Sequence, residues 1–165
     1  MTLLADARKE MLRKVDKGTR CPVCGRFTKV YPYTHGSTRV LCLRALERLG
    51  GRERWVHVSE IAKVLRPYLK DKTSSATKNF CLLKHWGFIT PMRKHVKERG
   101  SSGKWMLTKL GLQFLRGVPF PKHAYVYQNE VVRFSHETVT IKEAAGDHYH
   151  HDRFMARTAP RGLVA

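Results

Sequence analysis

Acidic side chains are scarce in this chain: 13 Asp and Glu stand against 32 Lys and Arg, a formal net charge of +19 over 165 residues. Carboxylates so few and so scattered do not form the paired metal ligands of a nuclease centre. Nucleophile elbow, phosphate loop and HExxH are all missing, so no enzymatic activity is expected. No apolar run reaches the roughly 18 residues of a transmembrane helix. The opening MTLLADARKEMLRKVDKG interleaves charge with its apolar residues, unlike a signal peptide, and a cytoplasmic protein is expected. Four cysteines in a reducing compartment are not expected to form structural disulfides. Nothing repeats, and no segment is of low complexity.

What is present is positive charge, unevenly spread. Residues 1–121 hold 26 basic and 8 acidic side chains, +18, whereas residues 122–165 hold 6 and 5, +1. Self-repulsion of that size disfavours compactness unless a polyanion offsets it, which makes nucleic acid the leading expected partner. The nearly neutral tail is not drawn to phosphates in the same way and is expected to serve homodimer formation or contact with a host protein. At 42% hydrophobic residues the chain can bury the core of one compact domain with appendages.

Leu4, Ala7, Met11 and Val15 recur at helical spacing among Arg8, Lys9, Arg13, Lys14 and Lys17, predicting a basic amphipathic helix over residues 1–17 that Gly18 ends. Such a pattern suits a membrane surface or a phosphate backbone, but most often lays its apolar stripe on the domain behind it. Residues 18–36 combine strand formers with Pro, Gly and Cys and read as a small knuckle. From Ser37 the period becomes helical, with Val40, Leu43, Leu46 and Leu49 on one face, Ser37 or Thr38 as cap and Gly50-Gly51 as stop. WVHV alternates as a short strand, and Ser59 is expected to cap a second helix with Ile61, Ala62 and Leu65 inward until Pro67. A third helix runs through SSATKNFCLLKHWG to Gly87. FIT and WML read as strands around a charged loop, and Thr108 caps a last core helix with Leu110 and Phe114 inward. Beyond residue 117 come a hairpin about Gln128-Asn129 and a short helix after Thr140.

Helix, short strand, helix, turn, helix and then a basic-tipped hairpin is the order of a winged helix-turn-helix, whose third helix enters the major groove. The expected fold is α+β, with this domain over residues 37–117, the N-terminal helix and knuckle before it, and a β-hairpin extension over residues 118–165. At about 100° per residue, Ala76, Phe80 and Leu83 form the core stripe of the third helix, with Asn79 near it. Ser74, Lys78, Cys81 and His85 lie opposite, with Thr77 at the flank, and are the candidates for base edges and phosphates. Arg93, Lys94, Lys97, Arg99 and Lys104 outweigh Glu98 on the hairpin, where like charges repel unless phosphates lie nearby.

CPVCG places Cys21 and Cys24 on one tight turn, so both thiolates can converge on one zinc ion. This is half of a closed site. His35 is a candidate third ligand, His148, His150 and His151 in DHYHH are candidates from the tail, and Cys42 and Cys81 read as buried thiols within helices. An unmetallated knuckle and a redox pair are the other readings of the cysteines, the redox one weakened by the lack of a thioredoxin-like setting.

GFI after the third helix, the glycine-bearing hairpin and LTKLGLQFL resemble the ending of MarR-like winged-helix domains over residues 37–117. Most of the chain resembles a set of bacteriophage and prophage proteins that pair a CPVCG knuckle with a winged helix, through CPVCGRFTKVY, HWGFITP, GKWMLTKLG and YVYQNEVVRFSHETVTIKEAAG. That resemblance implies phage origin and DNA binding; with the winged helix and its basic hairpin, a double-stranded DNA-binding protein of transcription regulation or DNA metabolism is expected. Competing expectations are an RNA-binding module, a virion or protein-interaction component, and a thiol oxidoreductase.

Overall fold

The structure is a computed structural model that describes residues 2–69, 73–92 and 102–146. It is a mixed α+β fold built on small antiparallel sheets. In chain order the elements are α1 (Thr2–Lys14), β1 (Thr19–Arg20), β2 (Phe27–Thr28), β3 (Tyr31–Thr34), α2 (Ser37–Arg48), β4 (Val56–His57), α3 (Val58–Leu69) and α4 (Thr73–Phe80). A 3-10 segment (Cys81–Trp86) follows, then β5 (Ile89–Pro91), β6 (Lys104–Leu107), α5 (Lys109–Leu115), β7 (Phe120–Pro121), β8 (His123–Tyr127), β9 (Glu130–Phe134), β10 (Thr138–Val139) and α6 (Ile141–Ala145).

Helix α2 is the central post. Of its expected stripe Val40, Leu43 and Leu46 are fully buried and Leu49 is half-buried, and Cys42 and Ala45 on an adjoining face are also fully buried. Two buried faces are needed because α2 packs against α3, α4 and α5 on one hand and against α6 on the other. Gly36, at φ 63°, is its N-cap, and no side chain caps it; Ser37 or Thr38 had been expected there. The second helix begins one residue before Ser59, at Val58, and Glu60 takes the capping role by accepting from the His57 backbone N–H at 3.0 Å. It then runs two residues past Pro67, whose ring and neighbours Lys63 and Arg66 are exposed.

Strands β4, β6 and β5 form one sheet in that order, with Val56 opposite Trp105 and Ile89 opposite Leu107. Thr108 caps α5 as its sequence implies, its hydroxyl accepting from Gly111 N–H at 3.1 Å. Phe114 is buried, but Leu110 is exposed rather than inward. Gly111 explains the difference: a Cβ there would lie 2.3 Å from the Phe88 carbonyl oxygen, so α5 seats its glycine face on the hairpin and turns Leu110 away.

The knuckle and the C-terminal hairpin, distant in sequence, share a sheet. Strand β3 pairs with β8, and β8 with β9, through a turn whose central residues Gln128 and Asn129 have φ of 49° and 68°. Two consecutive left-handed residues match the right-handed twist of the strands they join. Ala124, Val126, Ile141 and Ala145 belong to the same buried cluster as the residues of α2 and α3. Thr140 forms a reciprocal capping box with Glu143 on α6. Helix α1 is bound more loosely than its stripe suggests. Of that stripe Val15 alone is buried, Ala7 and Met11 are half-buried, and Leu4 is 69% exposed.

At the centre sits His35, 1% exposed, inside an aromatic box of Trp86, Phe88 and Phe114 at ring distances of 4.4, 5.4 and 4.8 Å. Its Nε2–H donates to the Pro121 carbonyl at 2.9 Å, which also accepts from Trp86 Nε1–H at 2.8 Å. A carbonyl only accepts, so Nε2 carries a proton. Burial pushes its pKa down to about 4 from 6.5, with Arg39 and His123 adding to the shift against the opposing Pro121 hydrogen bond.

Two outcomes follow from this core. Below pH 6.5 the unfolded chain binds a proton at residue 35 that the folded chain refuses, so stability falls as pH drops from 6.5 to about 4, by about 3 kcal/mol for this one group. Urea melts across that window should show the decline, and His35→Gln should flatten it. Truncation before Lys122 removes Val126 and Ile141 from the core, each worth about 1.5–3 kcal/mol, so the truncated chain should melt well below the full chain by circular dichroism.

Candidate nucleic-acid interface and cysteine knuckle

Helix α4 is anchored by Phe80, fully buried and edge-on to Trp105 of β6 with ring centroids 5.8 Å apart. Lys78 and Asn79 are exposed on its last turn and Thr77 is half-buried; Ser74 lies in the first turn, where the backbone alone is described. Asn79 had been placed near the core stripe and is instead beside Lys78 on the open side.

His85 requires the larger correction. Expected on the open face with Lys78, it is 8% exposed and stacks on Tyr33 of β3, ring centroids 5.8 Å apart and planes 4° from parallel. The reason is the change of winding at Cys81. On an α-helix residues 81 and 85 lie about 40° apart, but at three residues per turn they lie about 120° apart, which swings His85 under the β3–β8 sheet. Desolvation, assisted by the Lys84 charge, lowers its pKa from the ordinary value. Cys81 is half-buried against the core, its thiol donating to the Lys78 carbonyl at 3.4 Å. Gly87 ends the segment in the left-handed region at φ 71°, where the sequence placed the stop.

On the hairpin, Lys104 is exposed at the start of β6, opposite His57. Pairing continues beyond β5, since Met92 N–H donates to the Lys104 carbonyl and the Ser102 hydroxyl to the Met92 carbonyl, both at 2.9 Å. Arg93, Lys94, Lys97 and Arg99 lie outside the described residues. His57 was not among the expected site residues, yet its half-buried ring stands at the mouth of the hairpin: a Cβ on Gly103 would lie 2.7 Å from His57 Nε2. Its Nδ1 accepts from Ser59 N–H at 3.2 Å and from the Ser59 hydroxyl at 2.7 Å, so Nε2 carries the ring proton. The only sequence signal for His57 was its polar place in the alternation of WVHV. Nearby, Arg54 is neutralised by Glu60 at 2.8 Å. Among the described residues neither Lys78 nor Lys104 has a carboxylate partner.

The knuckle is a hairpin of β1 and β2 pinched by Cys21 N–H donating to the Arg26 carbonyl and Gly25 N–H to the Cys21 carbonyl, both at 2.8 Å. Cys24 is exposed and Cys21 half-buried. Backbone N–H groups of Cys24 and then Val23, with the Cys24 thiol, hold the Cys21 thiol below its ordinary pKa. His35 is no third ligand: it is buried in the aromatic box with Nε2 engaged on Pro121. His148, His150 and His151 lie outside the described residues. Among the described residues no three His, Cys, Asp or Glu side chains gather into a metal-sized group, and no helix is long and apolar enough to cross a membrane. No family model, curated protein or solved structure matches the chain.

Exposure separates the roles of these helix residues. His85→Ala should cost more than about 1 kcal/mol of stability in urea titration, whereas Lys78→Ala should stay within about 0.5 kcal/mol of the parent.

Proposed function

We propose that the protein binds double-stranded DNA as a winged helix-turn-helix, with α4 as the recognition helix and the β5–β6 hairpin as the wing. The observation that carries this reading is the β4-β6-β5 sheet, which ties the basic hairpin to the strand between α2 and α3, while Phe80 against Trp105 ties α4 to the same hairpin. Lys78 and Asn79, both exposed on the last turn of α4, suit groove contacts. Lys104 and the wing cations Arg93, Lys94, Lys97 and Arg99 suit phosphates, adding affinity more than sequence discrimination. The surplus of +19 supports a polyanionic partner. The protein acts without chemistry of its own. A winged helix of this kind suits transcription regulation or DNA metabolism, and the resemblance to phage proteins supports DNA binding in a bacterial cytoplasm.

The test is affinity for random duplex DNA across a range of salt. Lys97→Ala with Arg99→Ala should flatten the slope of log affinity against log salt by roughly two units, and Lys78→Ala by roughly one. Asn79→Ala should weaken some sequences more than others while leaving the slope unchanged. Equal slopes in parent and wing variant, or preference for duplex RNA of equal length, would overturn the proposal.

A further inference from the structure

Cys21 and Cys24 sit on a turn whose backbone is already committed. The pinch between Cys21, Gly25 and Arg26 closes it. A turn closed this tightly places two thiolates where one metal ion can bind both at about 2.3 Å from each sulfur. A closed structural site takes four ligands, and among the described residues no third one joins the pair. Around the pair the surface is apolar and cationic. Val23 is 63% and Phe27 59% exposed, Arg20 and Arg26 are exposed, and Arg20 Nη1–H donates to the Gly25 carbonyl at 3.2 Å.

We infer that Cys21 and Cys24 form half of a four-cysteine zinc site that the same two residues of a second copy complete across a twofold axis. Charge selects this completion. Zinc with four thiolates carries a net charge of −2, which the guanidinium groups of Arg20 and Arg26 from both copies offset; a pair completed by neutral imidazole or water leaves a neutral centre among those cations. A twofold contact also brings Val23 and Phe27 of each copy toward the other, covering apolar side chains that one chain leaves in water. As each S–Zn bond forms, the thiol releases its proton to solvent, so binding strengthens as pH rises.

The experiment titrates reduced, metal-free, full-length protein with zinc and, separately, with cobalt(II). Saturation is expected at one ion per two chains, with a native mass of two chains holding one zinc and a cobalt spectrum of tetrahedral tetrathiolate type. Cys24→Ser, at an exposed position, should keep the parent's far-ultraviolet circular dichroism, weaken zinc by more than about 100-fold and leave a monomer. The triple variant His148→Ala, His150→Ala, His151→Ala should match the parent in stoichiometry and mass. One zinc per monomeric chain, loss of zinc in the triple histidine variant, or no binding at micromolar zinc would each overturn the inference.

Discussion

The Pro121 carbonyl is where three separated parts of the chain are fastened together. His35 reaches it from just before α2, Trp86 from the end of the 3-10 segment, and Pro121 itself opens the C-terminal extension. Both donors are buried ring N–H groups, and either one left without a partner would cost about 1–3 kcal/mol. One carbonyl satisfies both because oxygen offers two lone pairs. Burial in the aromatic box, and not this hydrogen bond, keeps His35 neutral, because the box excludes the water a charged ring needs. Phe120 then packs edge-on against Phe88 and Phe114, so the residue beside the shared carbonyl also closes the box.

This apolar centre lets the fold carry its charge outside. Among the described residues the two buried histidines are held neutral by burial, so neither needs an ion pair to offset the desolvation of a charge. Among the described residues most ion pairs lie at the surface, such as Arg133 with Asp16 at 2.9 Å, and exposed pairs of this kind add little stability; Arg44 with Glu47 at 3.0 Å is the more buried exception. Stability and charge are therefore decoupled: substitutions among exposed cations change what the surface attracts more than whether the chain folds.

The parts of this fold that were legible in the sequence are those set by neighbours along the chain. Thr108 and Thr140 cap helices, Gly87 stops one and Gln128-Asn129 turns a hairpin because a side-chain oxygen or a left-handed φ acts within a few residues. His35, His85 and Leu110 were misread because their surroundings come from elsewhere: from Pro121, from Tyr33 and from the close seating of Gly111 on Phe88. The switch to 3-10 winding left no mark in CLLKHW, whose residues all suit an α-helix. Of the candidate site, the exposure of Lys78 followed from helical periodicity and that of Lys104 from hairpin charge, whereas the places of Asn79 and His57 are set by packing that their own segments do not reveal.

The winding change bears on how the proposed complex would divide affinity from specificity. α4 has eight residues, about 12 Å of helix at 1.5 Å per residue, comparable to the width of the major groove. Past Phe80 the chain turns its side chains under the β3–β8 sheet, so the readable face ends at Asn79 and cannot be extended by Cys81 or His85. With one amide and one ammonium exposed on the last turn of that face, discrimination between bases rests on few contacts, each good bidentate pair being worth about 1–3 kcal/mol. The hairpin cations are more numerous, and each phosphate neutralised adds a salt-sensitive but sequence-blind increment. In the proposed complex, a short reading helix joined to a heavily charged wing would thus hold duplexes broadly and select among them weakly.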